Sequence, residues 1–299
     1  MRDRIAETAR SGRILVSDGA WGTALQVRGL APGECPELWN AERPDDVYDV
    51  ARGYAEAGAD MIQTNSFGGT TFKLKMFGLE DRVRELNEEA ARLSRRAAGE
   101  ERWVIASMGP TGKMLMMGDV TEDQLYRAFK EQAEALEAGG ADAICVETMS
   151  ALDEAAIAVR AVRENTELEV ISTFTFEASA QGGYRTMMGV SPAEAAEAAL
   201  AAGAHITGTN CGNGFEQMIP IVREMRAARP EAVLLVHANA GLPRNVKGVD
   251  VFPETPEQMA ALAPQLIEAG ANIVGGCCGT TAEHIRALRA AVDGLVGDR

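Results

Sequence analysis

Short apolar runs alternate with longer amphipathic segments along this chain. Eight of the runs are rich in β-branched residues, and most are nearly continuous in apolar side chains, which predicts strands buried on both faces. The predicted strands are Ile14–Ser17, Met61–Thr64, Trp103–Ser107, Ala143–Val146, Val170–Phe174, His205–Thr209, Val233–His237 and Ile273–Gly275.

The segments that follow the strands carry apolar residues at spacings of three and four, which predicts helices with one buried face. Three of them begin with a capping box, a hydroxyl residue followed three positions later by Glu or Gln. The capping boxes start at Thr121, Ser191 and Thr255. The predicted helices are Pro44–Ala57, Leu79–Ala98, Thr121–Ala138, Ala151–Asn165, Ser191–Ala202, Phe215–Ala228, Thr255–Ala269 and Thr281–Leu295.

One junction between a helix and the next strand occurs four times. Its copies are Glu56-Ala-Gly-Ala-Asp60, Ala138-Gly-Gly-Ala-Asp142, Ala201-Ala-Gly-Ala-His205 and Glu268-Ala-Gly-Ala-Asn272. In each copy a glycine is predicted to cap the helix, where a left-handed residue is needed. An internal repeat and a shared turn geometry both explain the similarity.

Eight strands alternating with eight helices predict an α/β fold, a single (β/α)₈ TIM barrel over residues 1–299. A doubly wound open sheet is the rival fold, and the number of strands favours the barrel. The longest stretches without a pattern, Ala178–Gly189 and Ala240–Phe252, both follow predicted strands. In a barrel they are expected to be loops on the active-site face, at the C-terminal ends of the strands.

The composition and charge limit which binding partners and which cellular compartment are expected. The chain has 299 residues, 46% hydrophobic and 24% charged, and a net charge of −15. This is globular composition, and its acidity argues against nucleic acid or an anionic membrane as a partner. We find neither a membrane-spanning apolar run nor a secretory signal, so a cytoplasmic protein with reduced cysteines is expected.

Three of the five cysteines follow strands six and eight, which only strand seven separates. Cys211, Cys277 and Cys278 could therefore converge on one metal ion, and three thiolates with one open position suit catalytic zinc. Adjacent cysteines reach one ion only if the backbone bends, and Gly275, Gly276 and Gly279 allow that. The alternative is that cysteines are small buried residues, which we expect for Cys35 and Cys145.

The open zinc position could take a substrate sulfur or a water molecule. A bound thiol loses its proton to become a nucleophile, whereas bound water would hydrolyse a substrate with help from a base. The chain has only three histidines. His205 and His284 are expected to be structural, and His237 is a candidate polar wall of the site. This scarcity disfavours hydrolysis.

Two carboxylates at strand ends are candidates for holding an ammonium group. Asp18 follows strand one and Glu147 follows strand four, although each could instead cap the next helix. The backbone N–H groups of residues 19–22 could bind a carboxylate. With the zinc, these features describe a site for an amino acid that carries a thiol.

Six motifs together resemble the homocysteine S-methyltransferase family over essentially the whole chain. They are Asp18-Gly-Ala-Trp-Gly-Thr23, Gln63-Thr-Asn-Ser-Phe-Gly68, Gly109-Pro-Thr-Gly112, Glu147-Thr-Met149, Gly208-Thr-Asn-Cys-Gly212 and Gly275-Gly-Cys-Cys-Gly-Thr-Thr281. The resemblance is strongest to the homocysteine-binding module of cobalamin-dependent members. It implies a barrel in which zinc bound by the three cysteines activates homocysteine for methylation to methionine. It further implies that Asp18 and Glu147 hold the amino group, while Gly19, Ala20, Trp21, Thr64 and Asn210 line the amino-acid pocket.

The resemblance leaves the methyl donor open. Betaine-using relatives carry aromatic residues where this chain has Gly68 and Thr148, so betaine is not expected. No cobalamin-binding segment is expected here, so methylcobalamin would be presented by a separate corrinoid protein. The alternatives are a sulfonium donor, demethylation of another small substrate, or a zinc- and thiol-binding subunit without catalysis. Methionines on the loops after strands three and five either contact a partner or pack over neighbouring loops.

Overall fold

A computed structural model, which describes residues 4–246 and 249–297, forms a ring of eight parallel strands. The strands pair in chain order, and a bridge between Ser17 and Met61 joins the first to the second. The predicted (β/α)₈ barrel is therefore confirmed. The barrel strands are β1 (Leu15–Val16), β2 (Met61–Gln63), β3 (Trp103–Met108), β4 (Ala143–Met149), β5 (Glu169–Phe174), β6 (Ile206–Asn210), β7 (Leu234–Ala238) and β8 (Ile273–Gly276).

An outer helix follows each strand, and all three predicted capping boxes are present. Successive strand residues alternate between the barrel interior and the layer beneath the helices, so both faces of the strands are buried. The outer helices are α1 (Pro44–Glu56), α2 (Val83–Ala98), α3 (Glu122–Ala138), α4 (Leu152–Asn165), α5 (Pro192–Ala201), α6 (Phe215–Ala228), α7 (Pro256–Glu268) and α8 (Ala282–Gly297).

A short N-terminal helix, Ile5–Arg10, closes the end of the barrel at which the strands begin. Its residues Ile5, Ala6 and Ala9 pack in the same apolar cluster as the interior strand residues. The buried carboxylate of Glu169 accepts the N–H groups of Ile5 at 2.6 Å and Ala6 at 3.1 Å. The sequence analysis did not predict this helix.

The four repeated junctions share one hydrogen-bond pattern at the floor of the barrel, the end at which the strands begin. Asp60, Asp142, His205 and Asn272 each donate the backbone N–H to the carbonyl of a residue in the preceding strand. The side chain of each then accepts the N–H of that same residue, at 2.7–3.0 Å. An arginine contacts each of the four side chains. The glycine at the third position of each junction has positive φ, which confirms the predicted helix caps.

The two longest stretches without a sequence pattern contain short antiparallel hairpins. Glu177–Ala178 pairs with Tyr184–Arg185, and Arg244–Val246 pairs with Val249–Val251. Both stretches lie on connections from a barrel strand to its outer helix, as expected. The hairpins within them were not predicted, because strands of two or three residues are too short to show an alternating pattern. Within the described residues, no helix combines the length and the apolar character needed to cross a bilayer.

Candidate active site

A cavity of about 260 Å³ opens at the carboxyl ends of the strands. Of the residues predicted for the site, eight line this cavity: Gly19, Ala20, Trp21, Thr64, Glu147, Cys211, Cys277 and Cys278. Asp18 and Asn210 are fully buried behind that lining. The cavity therefore brings thiols, a carboxylate and an indole ring to one place.

Cys211, Cys277 and Cys278, hereafter the cysteine cluster, form a group that could hold a metal ion. Their three sulfur atoms lie within 4.8 Å of one another, and the sulfurs of Cys211 and Cys278 are 3.9 Å apart. Tetrahedral zinc with Zn–S bonds of about 2.3 Å requires sulfurs about 3.8 Å apart. The spacing thus fits a zinc ion. Cys35 and Cys145 are buried outside the cluster, as expected.

Both cysteine loops carry a local restriction: a left-handed backbone at Cys211 and close packing around Gly275. Cys211 has φ of +58°, one of two non-glycine residues with positive φ in the described chain. A left-handed L-residue costs roughly 1–2 kcal/mol, so the surrounding contacts must hold it. On the other loop, a Cβ on Gly275 would lie 2.8 Å from the Cβ of Ser17 and 2.9 Å from His237 Cδ2. Glycine is required there for steric reasons.

The cysteine cluster without metal concentrates negative charge on one sulfur. Hydrogen bonds from Cys277 and Cys278 lower the pKa of Cys211 to about 3, and the Gly212 N–H and the Asn239 side chain act in the same direction. Hydrogen bonds with Cys211 and Cys278 raise the pKa of Cys277, and the hydrogen bond with Cys211 is the largest cause that raises the pKa of Cys278 to about 12. A cation among the sulfurs would favour thiolates at all three positions.

Glu147 lies in the wall of the cavity and is surrounded by hydrogen-bond donors. Its carboxylate accepts from Ser107 Oγ, from Gln63 Nε2 at 3.1 Å and from Asn210 Nδ2 at 3.4 Å. Burial nevertheless raises its pKa to about 7. The next residue, Thr148, has φ of +63°, and its Oγ1 accepts from Asn210. A buried carboxylate without a cation favours a ligand that brings positive charge.

Asp18 is buried one layer deeper than Glu147. Its Oδ2 accepts the Gln63 N–H at 2.7 Å and the Trp21 Nε1–H at 3.0 Å. Burial raises its pKa to about 7, and the charge of Glu147 contributes to the rise. Asp18 therefore fixes Trp21 in the cavity wall, and it does not cap a helix.

Residues 19–22, which were predicted to bind a carboxylate, are fixed by hydrogen bonds at Ala20. The Ala20 N–H donates to Thr280 Oγ1 at 3.0 Å, and the Tyr54 hydroxyl donates to the Ala20 carbonyl at 2.6 Å. Glycine is needed at position 19, because a Cβ would lie 2.8 Å from both Thr280 Oγ1 and the Tyr54 ring. The Ala20 N–H is thus already used within the protein.

The cavity-wall residues that sequence reasoning missed include Gln63, Ser107 and Glu37. Gln63 and Ser107 bind Glu147 from the two preceding strands, and their polarity inside buried strands was the available signal. Glu37 precedes the helix Trp39–Glu42, and its carboxylate accepts the Gly68 N–H at 2.6 Å and the Cys35 thiol at 3.3 Å. No motif pointed to Glu37.

The three histidines lie outside the cavity wall. His205 accepts the Val170 N–H, and His284 Nε2 lies 3.0 Å from the Glu254 carbonyl, so both are structural as predicted. His237 was expected as a polar wall, but it is 1% exposed and does not line the cavity. Burial lowers its pKa to about 4. The cavity wall therefore lacks a histidine base.

A comparison with known proteins identifies the family of this chain. A family model described as homocysteine S-methyltransferase matches residues 15–292. The chain belongs to the homocysteine S-methyltransferase family. The family resemblance inferred from the motifs is confirmed.

Methionine synthases are among the relatives. Those of Mycobacterium tuberculosis and Mycobacterium leprae are both 36% identical to this member of the family. Each alignment covers 94% of this chain but only 25% and 24% of the respective relative. The chain therefore spans about a quarter of the length of these curated relatives.

Solved structures share the barrel. The oxidized form of the homocysteine methyltransferase MmuM from Escherichia coli has a TM-score of 0.73 at 26% identity, covering 93% of this chain and 95% of that one. The metallated form of MmuM has a TM-score of 0.75 at 24% identity, covering 93% and 96%. A methyltransferase from Methanosarcina mazei, with a TM-score of 0.63 at 13% identity over 97% of both chains, shares the fold.

Proposed function

We propose that this protein transfers a methyl group to the sulfur of homocysteine and so forms methionine. The methyl donor in this proposal is a methylcorrinoid carried by a separate protein. The observation that carries the proposal is that the cysteine cluster and the buried carboxylate of Glu147 share one small cavity. Homocysteine has a thiol and an ammonium group, which these two features match.

The cysteine cluster would hold zinc, which its sulfur spacing and soft ligands suit. Zinc, when bound, favours the thiolate form of a substrate thiol at neutral pH. Each residue of the cluster contributes one ligand, and the cavity side is left for the substrate sulfur. The proposal thus needs no protein base in the cavity wall.

Glu147 would receive the ammonium group of homocysteine. Its carboxylate is kept in place by Ser107, Gln63 and Asn210, so it is positioned before the substrate arrives. Asp18 would add negative charge from behind and hold Trp21 as a wall, while Thr64 and the segment from Gly19 to Trp21 bound the amino-acid pocket. Binding at both ends would orient the substrate sulfur for in-line transfer.

The exposed apolar side chains support a donor that docks as a protein. In the described residues, every large hydrophobic side chain that is exposed lies on a connection from a strand to its outer helix, at the end of the barrel where the cavity opens. A cavity of about 260 Å³ holds an amino acid but not a corrin ring. Clustered exposed apolar residues are typical of contact surfaces. These residues are Val27, Phe67, Met76, Phe77, Met114, Met116, Met117, Met187, Leu242 and Val251.

A donor screen tests the proposal. Zinc-loaded protein is incubated with homocysteine and, separately, methylcobalamin, methyl-tetrahydrofolate, S-adenosylmethionine, S-methylmethionine or betaine, and methionine is quantified. We expect methionine from methylcobalamin. Methionine only from a sulfonium donor would replace the corrinoid part of the proposal. Zinc and homocysteine binding without methionine from any donor would indicate a binding subunit.

A further inference from the structure

Phe67 belongs both to the cavity wall and to the exposed apolar surface. Its side chain is 41% exposed, and it lines the cavity that contains the cysteine cluster and Glu147. None of the other exposed large hydrophobic side chains in the described chain lines that cavity. The phenyl ring therefore stands at the boundary between a bound ligand and the outside.

Phe67 lies on the opposite side of the barrel mouth from Cys211. It follows strand β2, whereas Cys211 follows strand β6. Strands that are four apart in a closed ring of eight face each other across the barrel axis. A ligand whose sulfur is bound at the cysteine cluster therefore has Phe67 in front of that sulfur.

Hydrogen bonds fix the backbone around Phe67 on both sides. The Gly109 N–H donates to the Phe67 carbonyl at 2.9 Å, and the Gly68 N–H donates to the buried Glu37 carboxylate at 2.6 Å. One residue earlier, the Ser66 hydroxyl donates to a backbone carbonyl of strand β3 at 2.7 Å. The loop is therefore in place before a ligand binds.

Close packing fixes the ring of Phe67 as well. A Cβ on Gly109 would lie 2.5 Å from Cε2 of the ring and 2.7 Å from Cδ2 and Cζ, so the ring rests directly on the Gly109 backbone. A wall that is held in this way adds affinity for a ligand that fits, because no ordering is needed on binding. A wider ligand would have to displace it, which is unfavourable in a close-packed site.

We propose that Phe67 is a specificity-determining residue, whose ring packs against the carbon chain of homocysteine next to the sulfur and limits the width of the thiol that the cavity accepts. The inference rests on the proposed function, because it takes homocysteine as the ligand at the cysteine cluster. An unbranched chain passes beside the ring, whereas a branch on the carbon that bears the sulfur would meet it.

The binding of two amino acids to zinc-loaded protein tests the inference. One is homocysteine, and the other is 2-amino-4-mercaptopentanoic acid, which is homocysteine with a methyl group on the carbon that bears the sulfur. Both dissociation constants are measured by calorimetry, without a methyl donor, for wild type, Phe67→Ala and Phe77→Ala. Phe77 is the matched control, because it is 42% exposed and lies on the same connection but does not line the cavity.

Wild type is expected to bind homocysteine about 10- to 200-fold more tightly than the branched analogue, the range for one carbon in a close-fitting apolar site. Phe67→Ala should bind homocysteine more weakly and the analogue more tightly than wild type does, whereas Phe77→Ala should keep both constants. A merely structural role of Phe67 would weaken both ligands together. Analogue binding by Phe67→Ala that is no tighter than that of wild type would overturn the inference, as would equal binding of the two ligands by wild type. Wild-type protein that binds no homocysteine would instead refute the proposed function.

A second variant moves the ring without removing it. Gly109→Ala places a methyl group where the ring of Phe67 now lies, so the ring must shift, and the φ of Gly109 is not positive, so the backbone accepts alanine. The ratio of the two dissociation constants should therefore differ from the wild-type ratio. A wild-type ratio in Gly109→Ala would show that the ring does not set the selectivity and would overturn the inference.

Discussion

Replacing Glu147 by glutamine should strengthen the fold and weaken substrate binding at the same time. Glutamine resembles the protonated carboxyl group in shape and hydrogen bonding. In the folded protein, burial raises the pKa of Glu147 from 4.5 to about 7, which corresponds to about 3 kcal/mol. The folded-state pKa is the higher one, so wild-type protein loses this stability as the pH rises from 4.5 to 7. Glu147→Gln carries no such cost.

Urea unfolding at several pH values, on protein without substrate, measures this effect. The variant is expected to match wild type near pH 4 and to exceed it by about 3 kcal/mol at pH 8. Asp18 titrates in both proteins, and because the charge of Glu147 contributes to the raised pKa of Asp18, the loss of that charge adds to the expected gain. A variant that is less stable than wild type at pH 8 would contradict the assignment of a strained, buried charge.

Binding should change in the opposite direction. Losing a charged hydrogen bond to the homocysteine ammonium costs about 1.5–3 kcal/mol, or about 10- to 150-fold in Kd. A thiol without an amino group should bind both proteins equally. Glu154→Gln is the control, because Glu154 is a buried carboxyl group that binds Thr111 outside the cavity wall. Unchanged homocysteine affinity in Glu147→Gln would refute the proposed ammonium site.

Three further results are expected. Alanine at any position of the cysteine cluster should abolish methylation and retention of about one zinc per chain, whereas Cys35→Ala should keep both; full zinc content in Cys278→Ala would contradict the ligand set. Zinc-loaded protein should release about one proton more than zinc-free protein on binding homocysteine near neutral pH, as measured by calorimetry in buffers of different ionisation heat; equal release would argue against a metal-bound sulfur. Glu169→Gln should lower the free energy of unfolding by about 1–3 kcal/mol and speed hydrogen exchange at Ile5 and Ala6; unchanged exchange there would argue against its role in closing the barrel.

The barrel could be predicted because its signals are local. Most strands are nearly continuous apolar runs, and the predicted helix Phe215–Ala228 agrees with the structure at both ends. The helix Ile5–Arg10 has six residues and no side-chain cap, so its apolar residues give too short a pattern. Its stability comes from packing inside the barrel, which no local pattern reports.

The site was predictable where its chemistry is concentrated in a few residues. The paired cysteines and their glycines point to a metal from the sequence alone. The ring of donors around Glu147 was not predictable, because Gln63 and Ser107 come from strands about 84 and 40 residues away, and their contact depends on strand register. Sequence also could not tell that the carboxylate of Asp18 turns behind the cavity wall.

The repeated floor junctions divide the barrel into four two-stranded modules that are tied in the same way. In each, the residue before the even-numbered strand binds both backbone groups of one residue in the preceding strand. Nothing in this connection depends on what the strands carry at their other end. Proteins built from such modules can therefore change the thiols, carboxylates or loops at the carboxyl ends of the strands. The hydrogen bonds that close the ring at the other end stay the same.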